Sequence, residues 1–323
     1  MPGLPKKHLM LFSGRAHPEL AEQVAKQLDV TITPQSAWSF ANGEIFVRFE
    51  ESVRGSDAFV LQSHSAPIND QIMEHLIMVD ALKRASAKRI TVVMPFWGYS
   101  RQDKKHRGRE PISARLIADM FKVAGADRIM TVDLHTAQIQ GFFDGPVDHL
   151  FAMPVLAEHV KRTYADQELT VVSPDSGRVR LAERWAESLG GTPVAFIHKT
   201  RDPRRPNESR AQRVVGEIQG RLCIVIDDMI DTGGTVAKAA QALLAQGAKD
   251  VVVAATHGVL SGPAPERLAT CGAREVIFTD TLPIPDEKRF PTMSVLPIAP
   301  LLAEAIHQVF DDGSVTSLFD GNA

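Results

Sequence analysis

One pattern occurs twice in this chain. In the first copy, Ser113-Ala114 opens a helical run with Leu116, Ile117, Met120 and Phe121 on its apolar face. The run stops at Gly125-Ala126, and an apolar stretch from Ile129 to Val132 and then His135 follow. In the second copy, Thr235-Val236 opens a run carrying Ala239, Ala240, Leu243 and Leu244. That run stops at Gly247-Ala248 and leads to Val251 through Ala254 and then His257. The offset is constant: Ser113 answers to Thr235, Gly125 to Gly247, His135 to His257. The first glycine of each Gly-Ala pair suits the left-handed position just past a helix end. Matching caps, apolar faces and histidines imply two related α/β halves, with a boundary near Ala152 to Leu156.

The rest of the chain fits that frame. At 323 residues it is long for one domain, and two of about 150 residues are the natural division. Short β-branched runs alternate with helical patterns, the signature of mainly parallel sheets flanked by helices. Strands are expected near His8–Phe12, Ala58–Gln62, Ile90–Pro95, Ile129–Asp133, Thr170–Ser173, Leu222–Ile226, Val251–Thr256 and Glu275–Thr279. Helices are expected near Pro18–Leu28, Ile68–Ala85, Ser113–Val123, Met153–Tyr164, Arg178–Leu189, Val236–Gln246 and Leu301–Val309. The segment from Lys199 to Arg213 is polar, basic and contains prolines, so it reads as a mobile loop. A net charge of -3 argues against nucleic acid as the main partner. No run approaches membrane-spanning length, and the first residues lack the apolar core of a signal peptide. Cys223 and Cys271 lack metal-ligand spacing and fit inert core thiols in a reducing cytosol, so a cytoplasmic location is expected.

The most informative local stretch runs from Leu222 to Val236. An apolar run ends in Asp227-Asp228, and Asp231-Thr232-Gly233-Gly234-Thr235 then turns into a helix. The glycines let several N–H groups converge on one point, and Thr235 can cap a helix whose positive end favours an anion. The two carboxylates would repel that anion, but as acceptors they suit sugar hydroxyls. Together these features describe a pocket for a phosphorylated ribose. This loop resembles the phosphoribosyl pyrophosphate loop of type I phosphoribosyltransferases and their relatives.

Other segments carry complementary chemistry. Phe40-Ala41-Asn42-Gly43-Glu44 is a polar turn with one aromatic, which could stack on a base while Asn42 and Glu44 hydrogen-bond the nucleotide. The run from Trp97 to Arg107 follows a strand. It carries Arg101, Gln102, Lys104, Lys105, His106 and Arg107 against a single acid, Asp103, and so forms a cationic patch able to receive a polyphosphate. Asp133-Leu134-His135-Thr136 ends another strand and suggests metal or proton chemistry, although Mg²⁺ prefers oxygen ligands. Ser173-Pro174-Asp175-Ser176-Gly177-Arg178 is a further strand-to-helix turn, where Asp175 could hold a metal that bridges phosphates. Lys199 and Arg201 offer cations to a transferring phosphoryl group.

Taken in order, these blocks resemble the class I ribose-phosphate pyrophosphokinase family over nearly the whole chain. They are joined by Glu51-Ser52-Val53-Arg54-Gly55, Gln140-Gly141-Phe142-Phe143 and His198-Lys199-Thr200-Arg201. The resemblance implies two domains of the type I phosphoribosyltransferase-like fold, residues 1–153 on the ATP side and 154–323 on the ribose 5-phosphate side, with the last helix packing back on the first domain. It implies attack of the anomeric hydroxyl of ribose 5-phosphate on the β-phosphorus of ATP, release of AMP, and Mg²⁺ as cofactor. By the same resemblance Phe40, Asn42, Gly43, Glu44, Arg101 and Gln102 contact ATP, and His135 and Asp175 attend the metal. Lys199 and Arg201 are catalytic. Arg201, Asp227, Asp228, Asp231, Thr232, Gly233, Gly234 and Thr235 hold ribose 5-phosphate. The resemblance also implies a homo-oligomer, commonly a hexamer, and an ADP or phosphate effector site near Ser52, Arg54 and Arg109. One departure stands out: after Asp175 the family often has Ala-Gly-Gly, whereas this chain has Ser176-Gly177-Arg178, an extra cation. Two rival readings share the sugar-phosphate loop: a phosphoribosyltransferase, and a non-catalytic synthetase-associated subunit. The aromatic turn and the Arg101-Gln102 patch argue against the first. Retention of His135, Lys199, Arg201 and Asp227 argues against the second.

Overall fold

A computed structural model describes residues 7–201 and 209–319. The chain forms two units. One takes the chain up to Phe151, with Thr281–Pro283 and the stretch from Ile298 onward; the other takes Ala152–Asp280 and Ile284–Pro297.

The first unit contains β1 (Leu9–Ser13), α1 (Pro18–Leu28), β2 (Gln35–Ser39), β3 (Ile45–Phe49), β4 (Asp57–Leu61), α2 (Ile68–Arg84), β5 (Arg89–Met94), α3 (Ser113–Ala124), β6 (Arg128–Val132) and β7 (Val147–Leu150). Strands β1-β4-β5-β6-β7 form an all-parallel sheet in that order, and β2 pairs with β3 as a separate antiparallel hairpin. All five residues of β4 are buried, and those of β5 are buried after Arg89, as expected for strands covered on both faces. Phe12, Val60, Val92, Ile129 and Phe121 sit in one apolar core. Fully burying each such side chain contributes roughly 1.5–3 kcal/mol.

The second unit contains α4 (Met153–Thr163), β8 (Leu169–Ser173), α5 (Val179–Ser188), β9 (Val194–Arg201), β10 (Ser209–Val215), β11 (Leu222–Ile230), α6 (Gly234–Ala245), β12 (Asp250–Gly258), α7 (Ala264–Ala269), β13 (Glu275–Thr279) and β14 (Met293–Leu296). Its seven-stranded sheet has the order β10-β9-β8-β11-β12-β13-β14, with only β10 antiparallel to its neighbour. After β8 the chain continues to β9 on one side and later returns to β11 on the other. The carboxyl ends of β8 and β11 therefore flank a topological switch point, where α/β sheets bind ligands. The last helix, α8 (Ala299–Phe310), belongs to the first unit and packs on α1.

The repeat is visible bond by bond. Gly125 (φ 126) and Gly247 (φ 98) both follow helix ends. Ala126 N–H donates to Phe121 O at 3.0 Å, and Ala248 N–H to Leu243 O at 3.0 Å. These are the same terminal bonds in each copy, and an L side chain rarely adopts the glycine conformation.

Three local expectations change. The segment expected to be a loop from Lys199 is instead the arm of a hairpin, with Lys199 opposite Gln212 and His198 opposite Arg213. Only residues 202–208 between the arms lie outside the described residues. Strand β10 is an edge strand, and an edge tolerates the polar, basic composition that suggested a loop. Strand β11 does not stop at Ile226 but runs to Ile230, so Asp227 is still paired in the sheet, opposite Ala255. The helix after it is not capped by Thr235: Gly233 holds that position without a side-chain bond, and Thr235 lies in the first turn.

Candidate active site

In the second unit the residues from Asp227 to Thr235 lie at the carboxyl end of β11 and the start of α6. Asp228 is 6% exposed and Asp227 half-buried. Asp228 N–H donates to Asp227 Oδ1 at 2.9 Å, and Arg178 reaches across from the turn after β8. Its Nη2 donates to Asp228 Oδ1 at 2.5 Å, and its Nε lies 3.7 Å from Asp227 Oδ1. The extra cation of the Ser-Gly-Arg turn thus engages the two acids. Burial, together with the neighbouring Asp228, pushes the Asp227 carboxyl well above the usual carboxylate range, although Arg178 pulls the other way.

The turn from Asp231 to Gly233 follows. Gly233 has φ 71, a left-handed conformation that glycine adopts without strain. With no side-chain cap, the first-turn amides of Gly234, Thr235 and Val236 have no acceptor inside α6 and point from the helix's positive end. Thr232 and Thr235 are exposed beside them. Arg267, on the short helix α7, donates from Nη1 to Thr232 O at 3.0 Å and so steadies the loop. Sequence reasoning missed Arg267, because nothing in its own neighbourhood marks a contact made across the fold. Asp175 is half-buried and accepts from Gly177 N–H at 2.8 Å through Oδ1. Lys199 and Arg201 lie on β9 near the hairpin tip, and their side chains fall outside the described part of the structure.

The first unit carries the other set. The turn between β2 and β3 is tight: Phe40 N–H donates to Glu44 O at 2.7 Å, and Asn42 Oδ1 accepts from Glu44 N–H at 3.1 Å. Phe40 is 48% exposed, with its ring 6.2 Å from that of Trp38. The aromatic face is therefore open to solvent rather than packed in the core.

The loop after β5 sorts its charges by burial. Arg101, Gln102, Lys104, Lys105 and Arg107 are exposed. The one acid among them, Asp103, is 5% exposed and turned inward. Its Oδ2 accepts from Thr136 Oγ1 at 2.7 Å and from Gln138 Nε2 at 2.8 Å. Asp103 therefore ties the cationic loop to the segment containing His135, a link the sequence did not reveal. The same segment is held by His149, whose Nε2 accepts from Leu134 N–H at 2.9 Å. Both loops contain a non-glycine residue with positive φ, Tyr99 at 66° and Asp133 at 38°. Such strain persists where the surroundings over-determine it and clusters at functional sites. His135 is half-buried beside Thr136. Ser52, Arg54 and Arg109 are exposed, and Arg109 has φ 70.

Among the described residues no group of three or more His, Cys, Asp or Glu side chains is gathered to hold a metal, and no helix is long and apolar enough to cross a membrane.

Comparison with known proteins fits this geometry. The family profile of the N-terminal domain of ribose phosphate pyrophosphokinase matches residues 9–125, and that of the phosphoribosyl synthetase-associated domain matches residues 193–320. The chain is 69% identical over 318 residues to the ribose-phosphate pyrophosphokinase of Mycobacterium tuberculosis, covering 98% of each chain. It is 64% identical over 318 residues to that of Corynebacterium glutamicum, again with 98% of each covered. The crystal structure of phosphoribosylpyrophosphate synthetase from Mycobacterium smegmatis superposes with a TM-score of 0.91 at 67% identity, covering 95% of this chain and 100% of that one. With 69% identity sustained over 318 residues and family profiles matching both halves, the chain belongs to the ribose-phosphate pyrophosphokinase family.

Proposed function

We propose that the chain transfers the diphosphoryl group of ATP to the anomeric hydroxyl of ribose 5-phosphate, giving phosphoribosyl pyrophosphate and AMP. The observation that carries this reading is the loop after β11: a hydroxyl-accepting Asp227-Asp228 pair beside the uncapped amino end of α6, in a chain whose full-length relatives bear the enzyme's name. The amides of Gly234, Thr235 and Val236 receive the 5-phosphate, and Asp227 and Asp228 accept from the ring hydroxyls. The exposed cations after β5 take the triphosphate, and Phe40 stacks on the base. Lys199 and Arg201 follow the charge that develops on the transferring group.

The acid chemistry fits Mg²⁺. One oxygen of Asp175 is committed to Gly177, which leaves the other for a hard cation. Mg²⁺ keeps several waters and is held largely by substrate phosphates, so one or two protein oxygens suffice for it. When bound, the ion neutralises phosphate charge; His135 and Asp175 are the residues that attend it. A hexameric assembly in the cytoplasm, activated by phosphate and inhibited by ADP near Ser52, Arg54 and Arg109, completes the reading.

Incubation with ATP, ribose 5-phosphate and Mg²⁺ tests it. AMP should appear only when both substrates are present, and chelating the metal should stop it. Absence of AMP under these conditions would favour the non-catalytic synthetase-associated role. Consumption of phosphoribosyl pyrophosphate with a free base would favour a phosphoribosyltransferase.

A further inference from the structure

We propose that His64 and His75 are positioning residues for the nucleotide loop: a relay of hydrogen bonds that grips the backbone of Gly98 from inside the first unit. The inference rests on the reading that residues 97–103 receive ATP.

Both rings are buried, and neither figures in the chemistry above. Gly98 N–H donates to His64 Nδ1 at 3.0 Å. His64 Nε2 lies 3.3 Å from His75 Nδ1, and His75 Nε2 lies 3.1 Å from Val60 O. The ends of this chain have fixed roles, because a backbone amide can only donate and a carbonyl can only accept. One proton arrangement satisfies all three contacts: each histidine is neutral, with its proton on Nε2. His64 then donates to His75, and His75 donates to the strand β4 carbonyl. Phe121 stacks on His64 and meets His75 edge-on, walling the pair from water. Burial lowers both ring pKa values, that of His75 to about 3, which agrees with two neutral rings.

The loop needs such a hold. Trp97 is buried, and Tyr99, the residue after Gly98, sits at φ 66. A left-handed non-glycine residue costs on the order of 1–3 kcal/mol and persists only when its neighbours leave no alternative. From Tyr99 the chain turns through Gln102 N–H, bonded to Tyr99 O at 2.9 Å, to the buried Asp103. The relay fixes the entry to this turn, as Asp103 fixes its exit. His75 acts at one remove. Without an acceptor at its Nδ1, His64 is released to carry its proton on Nδ1, where it would face the Gly98 N–H as donor against donor.

Side-chain mimicry separates the two bonds. In His64→Asn the carboxamide oxygen takes the place of Nδ1, so Gly98 keeps its acceptor. In His64→Gln the carboxamide nitrogen takes the place of Nε2, so His75 keeps its donor while Gly98 loses its acceptor. We expect His64→Gln and His75→Leu to raise the KM for ATP roughly tenfold, the cost of a buried amide left unpaired. His64→Asn should stay within about twofold of the parent, and the KM for ribose 5-phosphate should not move in any of the three. Nitrogen NMR on the histidine-labelled parent protein needs no variant, and both rings should show a bare Nδ1 and a protonated Nε2. A proton on Nδ1 of either ring, or equal ATP constants for His64→Asn and His64→Gln, overturns the relay. Arg101→Ala serves as the reference. If it raises the KM for ATP while His64→Gln does not, the relay alone fails. If it leaves the KM for ATP unchanged, the loop's assignment to ATP fails, and the relay's part in binding fails with it.

Discussion

The same strand-to-helix step is built twice, with opposite solutions. After β5 the chain wanders from Pro95 to Ile112 before α3 begins; after β11 it needs only Asp231 to Gly233 before α6. The two helices end on the same terminal bond and each runs on into a strand, so the framework does not distinguish the two sites. The connection does. A short, glycine-bearing turn brings backbone amides to the surface and leaves little room for side chains, a form suited to an anion of fixed size. A long turn projects Arg101, Lys104, Lys105 and Arg107 outward and hides its one acid, and so presents a broad cationic surface. Backbone recognition fits a compact monoester, and side-chain recognition fits an extended triphosphate.

The largest effect should come from neither loop. Lys199→Ala or Arg201→Ala is expected to lower turnover by roughly 10³–10⁵, the range seen when a cation that touches a transferring phosphoryl group is lost. Circular dichroism should show an intact fold, because β9 carries these residues near the tip of an edge hairpin. Near-normal turnover in both variants would place charge stabilisation in the two loops themselves. Next, Asp227→Asn should weaken ribose 5-phosphate binding roughly 10- to 100-fold, as when a buried hydrogen-bonding group loses its partner, and leave ATP binding near its original strength. Calorimetry with each substrate separately decides this, and equal loss for both would erase the division of labour between the loops. The smallest effect is the mirror experiment. Phe40→Ala should weaken ATP binding roughly five- to tenfold, the lower part of the range for base stacking, because the ring is half exposed. A matching loss for ribose 5-phosphate would mean that the hairpin serves both sites.

Much of this arrangement is written locally and some is not. Pro18 at the start of α1, the Gly-Ala stops of α3 and α6, and the β-branched runs of β11 and β12 mark their elements through neighbours a few residues away. The hairpin of β2 and β3 was invisible because Gln35-Ser36-Ala37-Trp38-Ser39 is polar and only half-buried, so its period carries little contrast. Strand β11 hid its last residues because acids usually end strands, whereas these acids find a guanidinium. Asp103, Arg267 and the His64–His75 pair escaped for a shared reason. Each acts through a partner distant in sequence, Thr136, Thr232 or Gly98, and no spacing rule reports such a contact. Asp103 shows the limit most plainly: it reads as one acid interrupting a basic run, yet its burial is what holds the basic run in place.

The packing of α8 on α1 bears on how the chain is made. Leu20, Ala21, Val24 and Ala25 of α1 are buried in the finished protein, and α8 contributes Leu302, Ala303 and Ile306 to its own buried face. On the ribosome, α1 emerges long before α8, with almost the whole second unit translated between them. The second unit can begin folding as it appears, whereas the first stays open on one side until Phe310 has been added. An apolar helix face waiting that long is a surface on which chaperones or neighbouring nascent chains can settle. A stop codon just before Ala299 would therefore cost far more than a tail: it would leave the earliest helix of the chain without its cover.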